Sequence, residues 1–405
     1  RMAEARHVRI QDLVIRGGGY QTVRMDQCVD VEFDHVVVWC GTYGMTVHGT
    51  NGLTFLNSAL YGNVAPWTFR GDGSKRDYPG RPHRNISRLN THALLEIGTG
   101  LESSVYATPQ NDNWEIAHSE FAEAHDGLYL GSINVRFHHN LVENFQDDGL
   151  YLSPMYLRHR LDKRDPVIEI DHNVFRGVLT ALAFGGTETS TQDRIFIHHN
   201  LFDLRMPINT GRPTAKSPEA RFSTGKLMGD HGSPPWPAMT ITQNTVVAEE
   251  ASRDVAMSAY GANGAKNRRR VFNNIFVHLA RLPGLVPPDP ALDVAGDGNW
   301  YWSPEMDAAK ADALFARFRG SPQFTASQTL YEPGSETRSK AADPQFVELG
   351  REANRVRDYR LSPQSPARGS GIVLTGDLKS PTESPESNGA PDVGAFPSGE
   401  PPFRV

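Results

Sequence analysis

Cysteine is nearly absent from this chain: 405 residues include two, Cys28 and Cys40. One such pair excludes a disulfide framework and offers no zinc-binding spacing. Long apolar runs are missing too. None reaches the ~20 residues that cross a bilayer as a helix, so no membrane insertion is expected. An excess of basic residues is also lacking. The net charge is −6, and the basic residues are not interleaved with aromatic stacking platforms, so no nucleic acid partner is expected. No secretory leader is visible, yet the chain opens on Arg1 and its first repeat on His7. A processed start is expected, and with it an extracellular or periplasmic location.

What is present is a phrase that returns. Short alternating apolar runs lead into a His or Asn pair: Val135-Arg136-Phe137-His138-His139-Asn140, then Val167-Ile168-Glu169-Ile170-Asp171-His172-Asn173, then Arg194-Ile195-Phe196-Ile197-His198-His199-Asn200. It recurs at Met239–Asn244 and Arg270–Asn274. Self-similarity at a period of roughly 20–30 residues marks a solenoid, and units made only of strands mark a β-solenoid. Turn residues set the rungs at Asp12, His35, Asn57, Asn85, Ser119, Asn140, Asn173, Asn200, Asn244 and Asn274. Bare coils span 21 to 23 residues, as from Ser119 to Asn140. Asn suits the left-handed backbone of a sharp corner, and its amide can bond to its neighbours in a stack.

Each coil divides into three strands, as in Val135–His139, Leu141–Asn144 and Gly149–Leu152. Alternation puts Leu150 and Leu152 inside and Tyr151 outside. Third strands recur at Met45–Val47, Trp67–Phe69, Leu95–Ile97, Leu128–Leu130 and Leu182–Phe184. Residues 1–280 are therefore expected to form about ten coils. Residues 281–405 are expected to hold a helix within Pro304–Arg319, final coils and a capping tail with poorly ordered links, since an open solenoid end exposes core and strand edges.

Insertions gather after the third strand, at Arg70–His83, Gly98–Asn113, Ser153–Pro166, Gly185–Asp193, Thr210–Pro237 and Ala259–Arg268. Loops leaving one edge of a solenoid wall one face, which is usually the binding face. Several are basic, with Arg70, Lys75 and Arg76, then Arg158, Arg160 and Lys163. A positive wall on an acidic protein points to an anionic ligand. A solvated charged loop is the plain alternative. Tyr156, within one such loop, is the leading residue for stacking on a sugar ring.

The coils, the Asn turns and the closing runs Asp343-Pro344-Gln345-Phe346, Asp358-Tyr359-Arg360-Leu361 and Val393-Gly394-Ala395-Phe396 resemble right-handed parallel β-helix proteins of the pectate-lyase-like superfamily. The resemblance implies an all-β, right-handed, three-sheet parallel β-helix. It also implies a function among lyases, glycoside hydrolases, epimerases and adhesins.

Two consecutive coils share a phrase: His125-Asp126-Gly127-Leu128-Tyr129-Leu130 and Asp147-Asp148-Gly149-Leu150-Tyr151-Leu152. Neighbouring strands sit ~4.8 Å apart, so Asp126, Asp147 and Asp148 gather at one corner. Like charges this close split their pKa values into one acid and one base or nucleophile, the pair that glycoside hydrolysis needs. The spacing resembles polygalacturonase-type glycosidases, in which an Asp is followed one coil later by Asp-Asp. That family carries Gly-His-Gly on the next coil, where this chain has Leu179-Thr180-Ala181, so a standard galacturonan hydrolase is not expected. Asp before Gly is also ordinary turn chemistry, and the same three acids could hold Ca2+.

Along the outward side of the third strand lie Thr46, Glu96, Tyr129 and Tyr151, with His92 and His125 just before their strands. Tyr and His can serve as an acid–base pair for β-elimination. Exposed Tyr and Thr are also ordinary sheet residues. No Lys is expected on this face. His118, His139, His172 and His199 read as a structural stack, because a straight stack spreads its ligands along the axis. The expected function is cleavage of an acidic polysaccharide by a glycoside hydrolase. A polysaccharide lyase, with or without Ca2+, and a non-catalytic glycan-binding solenoid are the alternatives.

Overall fold

The computed structural model describes the chain apart from residues 18, 64–90, 98–110, 153–166, 186–193, 207, 212–220, 224, 234–235, 250–258, 261–267, 286–290, 351–356, 383–388, 400 and 402–405. The chain is a parallel β-helix. Its strands pair in parallel with strands one coil on, in three stacked sheets. The first sheet begins with the N-terminal parts of Arg6–Arg16 and Val29–Trp39 and ends with Arg269–Phe272 and Val294–Asp297. The second runs to Trp300–Trp302. The third contains Gln21–Asp26, Tyr43–His48, Ala93–Glu96, Asp126–Tyr129, the ends of Leu141–Leu152 and Val174–Gly185, and Lys226–Ser233.

Alternation drives these strands. Every second side chain enters a shared core, where Phe33, Phe55, Phe121 and Phe137 stack with ring centroids 5.7–5.9 Å apart. Such columns keep apolar surface from water along the whole axis.

The corner between the first and second sheets is held by an asparagine ladder. Asn140, Asn173, Asn200, Asn244, Asn274 and Asn299 are buried. The backbone N–H of each donates to Oδ1 of the next at 2.9–3.0 Å. Toward the N-terminus, Ser119 and Ser58 continue the series with hydroxyls. The left-handed residue is not the ladder Asn, as the sequence suggested, but the residue before it. His118, His139, His172, His199, Gln243 and Asn273 have φ between 51° and 57°. The ladder amide is spent on its neighbours, so the preceding position takes the backbone strain. Those histidines form the expected stack, with centroids 4.9 Å apart. Burial, followed by the neighbouring imidazoles, pushes His139 down to about 4, which keeps it neutral.

Asn51–Leu56 pairs directly with Asp112–Ala117, and Tyr43–His48 with Ala93–Glu96. The rungs expected at Asn85 and Trp67 lie outside the described residues. The insertion there precedes a third strand, as does the one before Lys226–Ser233. Insertions thus flank both ends of the third sheet rather than only following it.

Two helices follow Trp302. Helix α1 (Ala308–Arg319) is capped by Asp307, and α2 (Pro322–Leu330) by Ser321 with Pro at its first position. The Ser321-Pro322 start signal was overlooked in the sequence. Phe315 and Phe318 of α1 are buried. The described part of the tail is docked rather than loosely linked. Val393, Ala395 and Phe396 pack with Leu201, Val247, Ile275 and Trp300. Ile372 N–H donates to Asn273 at 2.8 Å, and the Ser380 and Thr382 hydroxyls donate to Glu169. The tail therefore runs along the first and second sheets. Among the described residues, no helix is long and apolar enough to cross a membrane.

Candidate functional site

The third sheet assembles the expected residues at one corner. Tyr43 and Asp126 both pair with Ala93, from opposite sides. Leu128 pairs with Leu150 and Tyr129 with Tyr151, a register that places Asp126 across from Asp148. Gly127 makes this possible. A Cβ there would lie 2.1 Å from the carbonyl oxygen of Gly149, so only glycine lets the two rungs close at this point.

Asp126 is the hub. Its Oδ1 faces Nδ1 of His125 at 2.9 Å, and its Oδ2 accepts from the Tyr129 hydroxyl at 3.2 Å. Nε2 of His92 lies 3.9 Å from Oδ2. The His92 and His125 rings are 5.6 Å apart, and Tyr43 meets His92 edge-on at 5.4 Å. Tyr129 and Tyr151 pack at 83° with centroids 4.8 Å apart.

Two buried atoms stand out. Oε2 of Glu96 and Nε2 of His125 have no hydrogen-bond partner among the described residues. Burial, then the charge of Asp126, pushes Glu96 up to about 8. Glu96 is thus a neutral acid at pH 7, beside the acceptor Asp126. Burial also raises Tyr129 well above a phenol's usual value, helped by Asp126 and Glu96. Tyr129 is therefore a proton donor and not a base.

The expected acids do lie on adjacent rungs, but not in an open groove. Asp126 is 1% exposed, and Asp147 and Asp148 are each 4% exposed. His125 and Tyr151 are buried as well. Solvent reaches the corner at His92, Glu96 and Tyr129, which are partly exposed. Arg70, Tyr156, Arg158 and Arg160 lie outside the described residues. The Asp126–Asp147–Asp148 trio put forward for Ca2+ is not a convergent group. The ligand atoms that converge on Asp126, all within 4.8 Å of one another, come from His92 and His125.

Sequence reasoning missed Tyr43 and Lys226. Contrary to expectation, a lysine does stand on the third sheet. Lys226 pairs with Thr180, which pairs with Asp148. The signal was Met228, which occupies the column of Leu150 and Leu182. It was overlooked because the segment was read as an insertion.

No family model matches this chain, and no curated protein is found as its relative.

Proposed function

We propose that this corner is the acid–base centre of a carbohydrate-active enzyme, a glycoside hydrolase of the pectate-lyase-like group that cleaves an acidic polysaccharide. One observation carries the reading. A carboxyl held neutral, Glu96, sits beside a carboxylate, Asp126, that accepts from the Tyr129 hydroxyl and faces Nδ1 of His125. Environments that push two acids apart assign the donor and the acceptor of a proton. Glu96 gives its proton to the leaving glycosidic oxygen. Asp126, with Asp148 on the next rung, draws a proton from the attacking water. Tyr129, partly exposed and packed on Tyr151, supplies a ring surface for a sugar. Because Asp126 is buried, part of the cover over this face must yield to the substrate. The basic insertions, which the sequence sets at both ends of the third sheet, favour an anionic chain and an extracellular or periplasmic setting.

A second reading has its own support. Asp126 orients His125 through Nδ1, leaving the lone pair on Nε2, which has no partner among the described residues. That is the arrangement of a base for proton abstraction, with Tyr129 as the acid, in a polysaccharide lyase.

Incubation with a panel of uronic-acid and sulfated polysaccharides tests both. Hydrolysis in heavy-oxygen water places the label in the new reducing end, and Glu96→Gln and Asp126→Asn abolish it. Elimination instead yields an unsaturated uronate that absorbs in the ultraviolet and fails in His125→Gln. Oligosaccharide that binds and is recovered intact would contradict both readings and leave a glycan-binding solenoid.

A further inference from the structure

The first sheet carries a second constellation of titratable groups, remote in the coil from the third-sheet corner. Three of its imidazoles belong to adjacent rungs: His118 follows Asp112–Ala117, while His138 ends Val135–His138 and His139 follows it. Each offers one ring nitrogen, and the three nitrogens lie within 4.8 Å of one another. His118 and His139 pack at 4.9 Å, and His138 meets both rings edge-on. His118 is exposed and His138 buried, so the group has one open side.

The hydrogen bonds settle where the lone pairs point. Nε2 of His138 faces Oε1 of Glu115 at 3.3 Å. A carboxylate only accepts, so Nε2 carries the proton and Nδ1 carries the lone pair. That Nδ1 lies 2.9 Å from Nδ1 of His139. Two ring nitrogens facing each other share a single proton, which a cation can displace. A histidine whose far N–H is held by a carboxylate is also the usual arrangement around a bound metal.

We propose that His118, His138 and His139 form a binding site for a divalent transition-metal ion of the zinc class, with Glu115 as the group that orients His138. Tetrahedral coordination at a Zn–N distance of ~2.1 Å places ligand nitrogens about 3.4 Å apart. The His138–His139 pair is already closer than that. His118 need only swing inward by about 1 Å, and its exposed ring has room to do so. The fourth position opens to solvent. Imidazole ligands suit Zn2+, Ni2+ and Cu2+ and disfavour Ca2+ and Mg2+.

The same face holds two further groups with converging ligands, and each is already neutralised. Asp171 bonds to His172 at 2.9 Å and pairs with Arg136 at 3.3 Å. Glu169 accepts from His198, Ser380 and Thr382. The straight part of the stack therefore stays structural. The doubled pair recurs at His198-His199, but among the described residues only the group at the N-terminal end brings three ring nitrogens together without a carboxylate.

The test is titration of the chelator-stripped full chain with ZnCl2 alone, followed by calorimetry and by melting temperature, and with CoCl2 followed by its visible absorption. One equivalent of Zn2+ is expected to bind with a Kd of about 10 μM or tighter and to raise the melting temperature. Co2+ is expected to show the intense visible bands of a tetrahedral site. His118→Asn and His139→Asn keep a residue that tolerates the left-handed turn, and each should weaken Zn2+ binding at least tenfold. Glu115→Ala should weaken it about tenfold with the fold unchanged. His199→Asn, farther along the stack, should leave it unaltered, as should His92→Ala on the third sheet. Absence of binding at 100-fold above that Kd would overturn the site, and so would undiminished affinity in His118→Asn. None of these readouts depends on polysaccharide cleavage.

Discussion

The asparagine ladder and the third-sheet corner are built on the same coils from buried polar side chains, and they differ in what those side chains have found. Each ladder amide closes on its neighbours. Asn200, for instance, accepts from Asn173 and donates to Ile170, His198 and Asn244. At the third-sheet corner Glu96, His125, Thr46 and Thr180 each keep a buried atom with no partner among the described residues. Leaving such an atom unpaired costs about 1–3 kcal/mol. Unpartnered buried atoms also occur at Gln243, Thr50 and Arg269, but at the third-sheet corner two of them, on Glu96 and His125, flank one carboxylate, Asp126. On the proposed reading, the difference separates side chains that hold the solenoid together from side chains kept available for a ligand.

The largest expected effect lies at the third sheet. Glu96→Gln is isosteric and should lower turnover on a responsive polysaccharide by about 10²–10⁴-fold, while the melting temperature stays level or rises. A parallel fall in stability would place Glu96 with the ladder instead. Asn200→Ala should do the reverse. It strands the Asn173 N–H and the Ile170 carbonyl, and it should cost about 3 kcal/mol or more in denaturant unfolding with turnover per folded molecule preserved. Gly127→Ala couples the two regions. Its Cβ would press on the Gly149 carbonyl, costing about 1–3 kcal/mol and displacing Asp126, so both stability and turnover should drop.

A subtler contrast appears with pH. Glu96 has a raised pKa in the folded chain, about 8, against an ordinary ~4.3 when unfolded. Between those values the unfolded state loses its proton first. Stability therefore falls as pH rises from about 4.3 to about 8, and the penalty is complete above that. Glu336, also raised to about 8 by burial, adds a second contribution at the capped end. Glu96→Gln should flatten the slope in part, and the double variant with Glu336→Gln should flatten it further. Unfolding midpoints from pH 5 to 9 measure this. The smallest effect is expected from Thr46→Val. It replaces an unpaired buried hydroxyl with a methyl group, and stability should change by less than about 1 kcal/mol, toward greater stability. A clear loss would mean that the hydroxyl has a structural partner.

The ladder was legible because it repeats. Ser119, Asn140, Asn173, Asn200, Asn244 and Asn274 are spaced by whole coils, and the His stack beside them follows from the same count. Asp12, His35 and Asn57 carry the turn strain where the sequence places it, while along the ladder it falls one residue earlier, because which of His139 and Asn140 takes the left-handed backbone depends on where the Asn140 amide bonds. Lys226 escaped notice because a true rung sat inside a segment that composition marked as loop. The carboxylate corner was visible in the repeated Asp-Gly-Leu-Tyr phrase. The state of Glu96 was not, because its raised pKa comes from burial and from Asp126 on the next rung, which no local pattern encodes.

The most direct test is a carbon-detected titration of the Glu96 side-chain carboxyl in the folded chain. Titration centred near 8, moving downward but staying above the ordinary range in Asp126→Asn, is the predicted result. Titration in the ordinary carboxylate range near 4.3 would contradict it, and with it the assignment of Glu96 as the proton donor of this face.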